Sequence, residues 1–270
     1  MVTQGRQPTD QQIMPTLVGI ASSVAQRVIR LRLLSLSLLH ERSDLSDITR
    51  DELFLDIYDH CKEYTMTSVT RMHALYNATR YIINSGVAGD FVECGVWRGG
   101  SSMLVARTLL RLNERDRTLH LYDTYEGMPD PTEEDVDVTG TPAKILLNES
   151  SRRDKIWAQA GLDDVRANLM QTGYPNSKLQ FVKGMVEQTI PDSIPNKIAL
   201  LRLDTDWYES TYHEFVHLFP RLSRGGVLII DDYGHWRGAK LAADRYIEET
   251  GAKLLLNRID YTGRMAVKLD

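Results

Sequence analysis

Two constellations in this sequence have residue types and spacings that could do chemistry. In the run HEFVH, His213, Glu214 and His217 have the spacing that on a helix sets two imidazoles one turn apart, with a glutamate to activate a zinc-bound water. In LRLDTDWY and LIIDDYGHW, Asp204 and Asp206 close one apolar run while Asp231 and Asp232 close another. Four carboxylates at two adjacent strand ends repel one another unless a cation lies among them, and such oxygen ligands suit magnesium, manganese or calcium better than zinc. The flanking residues favour the acids. Pro220 ends the helix three residues after His217, and Pro220 and Ser223 stand where the longer zinc-peptidase motif needs glycine and a third histidine. The two histidines therefore read as one face of a helix, and the metal is expected at the acids.

The elements that must position those acids follow from periodicity. Apolar strand candidates fall at 90–95, 118–123, 179–184, 197–204, 225–232, 252–257 and 264–269. Helical stretches separate most of them: SSMLVARTLLRLN, DDVRANLMQTG, ESTYHEFVHLF and GAKLAADRYIEE. Such alternation predicts an α/β fold with a seven-stranded, mostly parallel, doubly wound sheet. A short turn near YTG makes the last two strands an antiparallel edge hairpin. The long acidic gap over 124–165, with TYEGMPDPTEEDVDVTGTP at its start, is expected to be a functional loop or lid.

Length and charge bound the function. A chain of 270 residues, 42% hydrophobic, can bury a full core, and a net charge of -5 over 32 basic and 37 acidic residues provides no field that gathers nucleic acid. A small-molecule partner is expected instead. Two cysteines, Cys61 and Cys94, form no framework and fit a reducing cytoplasm. Residues 17–39 are apolar, but Arg27, Arg30 and Arg32 interrupt the run that a transmembrane segment would need. They predict an amphipathic N-terminal helix packed on the body or on a second subunit, with peripheral membrane contact as the lesser alternative. The resulting division is an N-terminal helical extension over 1–50 and a main domain over 51–270.

Open parallel sheets bind ligands at the carboxyl ends of their strands. There the first strand runs into ECGVWRGGSS, a glycine turn leading to a helix. It is neither a phosphate loop, because Ser101 follows Gly100 where lysine would stand, nor the dinucleotide fingerprint, because Val96 and Trp97 follow Gly95. Glu93, two residues before Gly95, could receive an ammonium group, and Asp123, at the tip of the second strand, could accept both hydroxyls of a ribose. An adenosine that carries a charged amino acid meets both requirements, and S-adenosylmethionine is such a molecule. Gly184, Met185 and Val186 follow the third strand, where an adenine could pack. Hydroxyls of Thr124 and Tyr125, the rings of Trp207, Tyr208 and Trp236, and His235 are expected to contact an acceptor.

The segments FVECGVWRGGS, YDTYEGMP, LRLDTDWYEST and LSRGGVLIIDDY, within about residues 60–250, resemble the macrocin O-methyltransferase, or TylF, family. The resemblance implies a Rossmann-like class I methyltransferase fold and a magnesium-dependent O-methyltransferase acting on a sugar hydroxyl of a glycoside acceptor, free or lipid linked. Carried over by motif position, it implies that Asp204, Asp231 and Asp232 hold Mg2+ and that Asp206 is the base. Glu93, Gly95, Val96, Trp97, Ser101 and Asp123 would then line the donor site, with Met66 and Thr67 of YTMTS over its methionine end. A homodimer is expected from the same resemblance and from the N-terminal helix. The alternative reading takes Asp204-Thr205-Asp206 as the DxD metal site of a nucleotide-sugar glycosyltransferase.

Overall fold

The computed structural model describes residues 45–269. The chain divides into two compact units, Met1–Asp51 and Glu52–Asp270. Of the first, only a short 3-10 turn at Ile48–Arg50 and its flanks are described, so the amphipathic helix expected over 17–39 lies outside the described residues. No helix among those described is long and apolar enough to cross a membrane.

In the second unit two helices precede the sheet: α1 (Glu52–Asp59) and α2 (Val69–Asn84). The side chain of Ser68 caps α2 by accepting from the Arg71 amide. The α2 helix buries Met72, Leu75, Tyr76, Thr79 and Ile82, a stripe at helical spacing. The strands and helices then alternate: β1 (Asp90–Cys94), α3 (Gly100–Arg111), β2 (Leu119–Asp123), α4 (Ala143–Glu149), α5 (Leu162–Met170), β3 (Leu179–Lys183), α6 (Val186–Thr189), β4 (Ile198–Leu203), α7 (Tyr208–His217), β5 (Leu222–Ile230), α8 (Arg237–Thr250), β6 (Asn257–Arg258) and β7 (Arg264–Val267).

The seven strands form one sheet in the order β3-β2-β1-β4-β5-β7-β6. The first five are parallel, and β7 is antiparallel to both β5 and β6. Sheet architecture and edge hairpin are those that the periodicity predicts. The sixth strand is shorter than expected: only Asn257 and Arg258 pair with β7. Leu254 and Leu256 still pack on the core while Leu255 is exposed, so alternation persists there without a hydrogen-bonded ladder.

All six residues of β4 are buried, as expected for a central parallel strand covered on both faces. One face carries Cys94, Tyr122, Leu201 and Leu228 against Phe215 of α7 and Tyr246 of α8. On the other, Glu93 pairs in register with Leu121 and Arg202, with Leu75 of α2 and Val105 of α3 beside them. This second face thus holds an acid and a base inside an otherwise apolar layer.

The 124–165 gap contains α4 and a second, smaller core in which Ala143, Leu147 and Trp157 pack on Trp207, Trp236 and Ala239. Asp135, fully buried, accepts from the amide and hydroxyl of Thr132 and from the Tyr208 amide at 2.8 Å. It thereby caps the N-terminus of α7, where the local N-cap, Trp207, supplies no side-chain bond. Gly238 of α8 lies so close that a Cβ there would stand 1.9 Å from Asp135 Oδ1.

Candidate active site

A cleft of about 1020 Å³, mouth included, opens at the carboxyl ends of β1, β2, β4 and β5. Two backbone features shape it. At Gly95 φ is +82°, and a Cβ would stand 1.9 Å from the Asp204 carbonyl oxygen, so only glycine lets the turns after β1 and β4 approach this closely. Five non-glycine residues among those described have positive φ, and three of them, Trp97, Ala158 and Asp206, line the cleft. Strained backbone of this kind gathers where the surrounding structure imposes a working geometry.

Fourteen of the fifteen residues assigned from the sequence to donor, cation or base line this cleft: Met66, Thr67, Gly95, Val96, Trp97, Ser101, Asp123, Gly184, Met185, Val186, Asp204, Asp206, Asp231 and Asp232. Glu93 does not. It faces the α2–α3 side of the sheet, where its carboxylate accepts from Arg202 Nη1 at 2.7 Å and from the Ser102 hydroxyl. Glu93 thus lies in a buried network behind the cleft lining, whereas the sequence placed it in direct contact with an ammonium group. Desolvation raises the Glu93 pKa, and the Arg202 charge and the Ser102 hydrogen bond oppose the rise.

Asp123 reaches the cleft, but its carboxylate also braces the glycine turn. Oδ2 accepts from the Val96 and Trp97 amides at 2.7 and 2.9 Å, and Oδ1 accepts from the Tyr125 amide at 2.7 Å. A carboxylate offers about four acceptor sites, so some capacity remains for a ligand. Burial raises its pKa and these amides oppose the rise.

The acids after β4 and β5 form the other half of the site. One oxygen each from Asp204, Asp231 and Asp232 lies within 4.8 Å of the others. Asp231 Oδ1 accepts from Arg202 Nη2 at 2.7 Å, and its Oδ2 accepts from Arg71 Nη1. Asp204 Oδ2 accepts from Arg202 Nη1 at 2.6 Å. Asp232 Oδ2 is buried without a hydrogen-bond partner among the described residues. Desolvation pushes Asp204 and Asp206 up to about 7, with Asp232 adding to the rise at Asp204 and Asp204 adding to it at Asp206. Asp232 is raised well above the carboxylate range by burial and then by Asp206.

This donor set fits a hard divalent cation. Its oxygens converge, one buried oxygen has no partner among the described residues, and a cation relieves both the burial and the repulsion that raise Asp204 and Asp232. Arg71, which bridges Asp231 and Asp260, would have to share Asp231.

The expected acceptor contacts need correction. Trp207 and Trp236, 3% and 6% exposed, meet edge to face at 5.0 Å between centroids in the smaller core. Tyr125 is buried with its hydroxyl on the Leu121 carbonyl. The Tyr208 hydroxyl accepts from Arg245 outside the cleft. Of that group only Thr124 lines the cleft, beside Met128 and Pro129 of the acidic segment. The HEFVH residues also lie outside it: His213 and His217 sit side by side with ring centroids 4.4 Å apart, while Glu214 points into the core and accepts from the Thr205 hydroxyl.

Two residues that matter here were not singled out from the sequence. Arg202 had a visible signal, as a lone guanidinium in the apolar run KIALLRLD, where a buried charge demands partners. Arg71 had none, because only the docking of α2 brings it to Asp231.

The strand order, the antiparallel seventh strand beside β5, and a glycine turn facing an acid at the tip of β2 define a class I methyltransferase. The chain belongs to the macrocin-O-methyltransferase (TylF) family, whose model matches residues 44–267. It is 33% identical to demethyldecarbamoylnovobiocin O-methyltransferase of Streptomyces niveus over 68% of this chain and 67% of that one. It is 34% identical to 8-demethyl-8-(2,3-dimethoxy-alpha-L-rhamnosyl)-tetracenomycin-C 4'-O-methyltransferase of Streptomyces olivaceus over 74% of each chain. Among solved structures, that of the O-methyltransferase NovP aligns with a TM-score of 0.67 and 31% identity, covering 77% of this chain and 83% of that one. The protein is thus a methyltransferase, and the nucleotide-sugar glycosyltransferase alternative is set aside.

Proposed function

We propose that this protein is an S-adenosylmethionine-dependent, divalent-cation-dependent O-methyltransferase that acts on a sugar hydroxyl of a natural-product glycoside or glycolipid. The observation that carries this reading is the convergence of Asp204, Asp231 and Asp232 beside Asp206, on the wall of the cleft that also holds the glycine turn and Asp123. The sugar acceptor is supported by the relatives, one of which is named for a reaction on a rhamnosyl-bearing compound.

In this reading the Gly95–Trp97 turn, Ser101 and Asp123 seat the donor, with Met66 and Thr67 over its methionine end and Gly184 and Met185 at its adenine. The bound donor supplies an electrophilic methyl on a sulfonium. Asp204, Asp231 and Asp232 would hold the cation, which when bound would supply Lewis acidity to lower the pKa of an acceptor hydroxyl. Asp206, beside the cation-holding acids and on the cleft wall, takes that hydroxyl's proton. Met128 and Pro129 line the side of the cleft. Much of the rate enhancement comes from holding the oxygen in line with the methyl at near-attack distance.

The test separates binding from chemistry. Asp206→Asn is expected to retain S-adenosylhomocysteine binding by calorimetry while turnover falls by about 100-fold or more, the scale of a lost general base. Unchanged turnover would remove Asp206 from that role.

A further inference from the structure

Arg202 is 2% exposed, one residue from the carboxyl end of the central strand β4, and each of its two terminal nitrogens forks to two side chains. Nη1 donates to Glu93 Oε1 at 2.7 Å and to Asp204 Oδ2 at 2.6 Å. Nη2 donates to Asp231 Oδ1 at 2.7 Å and to Thr67 Oγ1 at 2.9 Å. These partners come from four separate places in the chain: β1, the segment before α2, the turn after β4 and the turn after β5. Two belong to the carboxylate cluster and one, Thr67, lines the other part of the cleft.

A carboxylate gripped through one oxygen can swing little, so the direction of its other oxygen is set. Ligating carboxylates are oriented this way by groups behind them. Arg202 grips Asp204 through Oδ2 alone, which leaves Oδ1 aimed by that bond. We propose that Arg202 is the positioning residue of this site: one planar guanidinium fixes two cation-ligating acids and, through Thr67, the donor wall, so that cation and donor binding are energetically coupled. This inference rests on the cation reading above. Coupling here means that each ligand tightens the other by the same factor. The guanidinium supplies it because either ligand, by immobilising the acids or Thr67, immobilises the shared fork.

Lysine preserves the charge but offers three donors from one point and no planar fork. Titration calorimetry with Mn2+ and with S-adenosylhomocysteine, each with and without the other, tests the proposal on the wild type and on Arg202→Lys. The wild type is expected to bind both, each tightening the other. In Arg202→Lys, with a native circular dichroism spectrum, Mn2+ affinity is expected to fall by about tenfold or more, the usual effect of removing a group that orients a metal ligand. Folded Arg202→Lys with unchanged affinities and coupling overturns the inference alone. Wild-type protein that binds S-adenosylhomocysteine but no Mn2+ overturns the cation reading, and this inference with it.

Thr67→Val keeps the test decisive if Arg202→Lys does not fold, because it removes one acceptor and no charge. It is expected to leave Mn2+ affinity alone intact while Mn2+ no longer tightens S-adenosylhomocysteine binding. Coupling as large as that of the wild type would contradict the proposal.

Discussion

Glu214 shows how far a residue's chemistry depends on where its side chain is sent. In the sequence it is the candidate base of a zinc-peptidase motif; in the fold it is fully buried, with Oε1 on the Thr205 hydroxyl and the Cys94 thiol beside its carboxyl. Burial raises its pKa well above the usual value of 4.5. The sign follows directly: above pH 4.5 the unfolded chain releases this proton while the native state keeps it, so this residue's contribution to stability declines as pH rises toward the native pKa. Glu214→Gln, isosteric and uncharged, is expected to flatten that decline and leave methyl transfer within about twofold, since Gln retains the Thr205 bond. Urea unfolding at pH 6 and pH 9 checks the first outcome and a turnover assay the second. Among the site acids, residue type and spacing were legible because carboxylates crowded at strand ends need a reason to be there. What was not legible is direction. Glu93 lies in register with Arg202 on the inward face of the sheet, so it serves the guanidinium rather than the cleft.

At the scale of elements, the strands and the helices between them were legible from their apolar periodicity, because a parallel sheet covered on both faces imposes long buried runs. The structure adds α1 and α2 before the sheet, and α4 within the long acidic gap. The gap reads as irregular because its acids and prolines mask the short apolar set Ala143, Leu147 and Trp157, which packs on Trp207 and Trp236, the N-caps of α7 and α8, and on Ala239. Asp135 locks that segment to the helix following the site acids, with a cap supplied 73 residues away in sequence. No local pattern could reveal it. Asp135→Ala is expected to lower stability by about 1–2 kcal/mol, the scale of a lost cap, in chemical denaturation. Because the same residue holds the segment that carries Met128 and Pro129, the KM for the acceptor is expected to rise more than that for S-adenosylmethionine. An equal change in both would locate Asp135's effect in global stability alone.

Taken whole, the molecule divides its labour between a sheet that the sequence announces and a charge network that only the fold assembles. The glycine turn after β1, the acid at the tip of β2 and the four aspartates after β4 and β5 come from four distant stretches, yet all open on one cleft. Arg202 and Arg71 hold that arrangement from behind and beside it, with Arg71 also tied to Asp260 in the β6–β7 turn. The edge hairpin thus reaches the site through one arginine. Methyl transfer from S-adenosylmethionine to a sugar hydroxyl, with a divalent cation at the acid cluster, is tested most directly by mass spectrometry of a panel of deoxysugar glycosides incubated with the protein, S-adenosylmethionine and Mg2+, with and without chelator. The expected product is heavier by one methylene unit, located on a sugar oxygen, and is abolished by chelator and restored by added Mg2+. A methylated product that forms equally well in chelator, or one carrying the methyl on nitrogen or carbon, would contradict this reading.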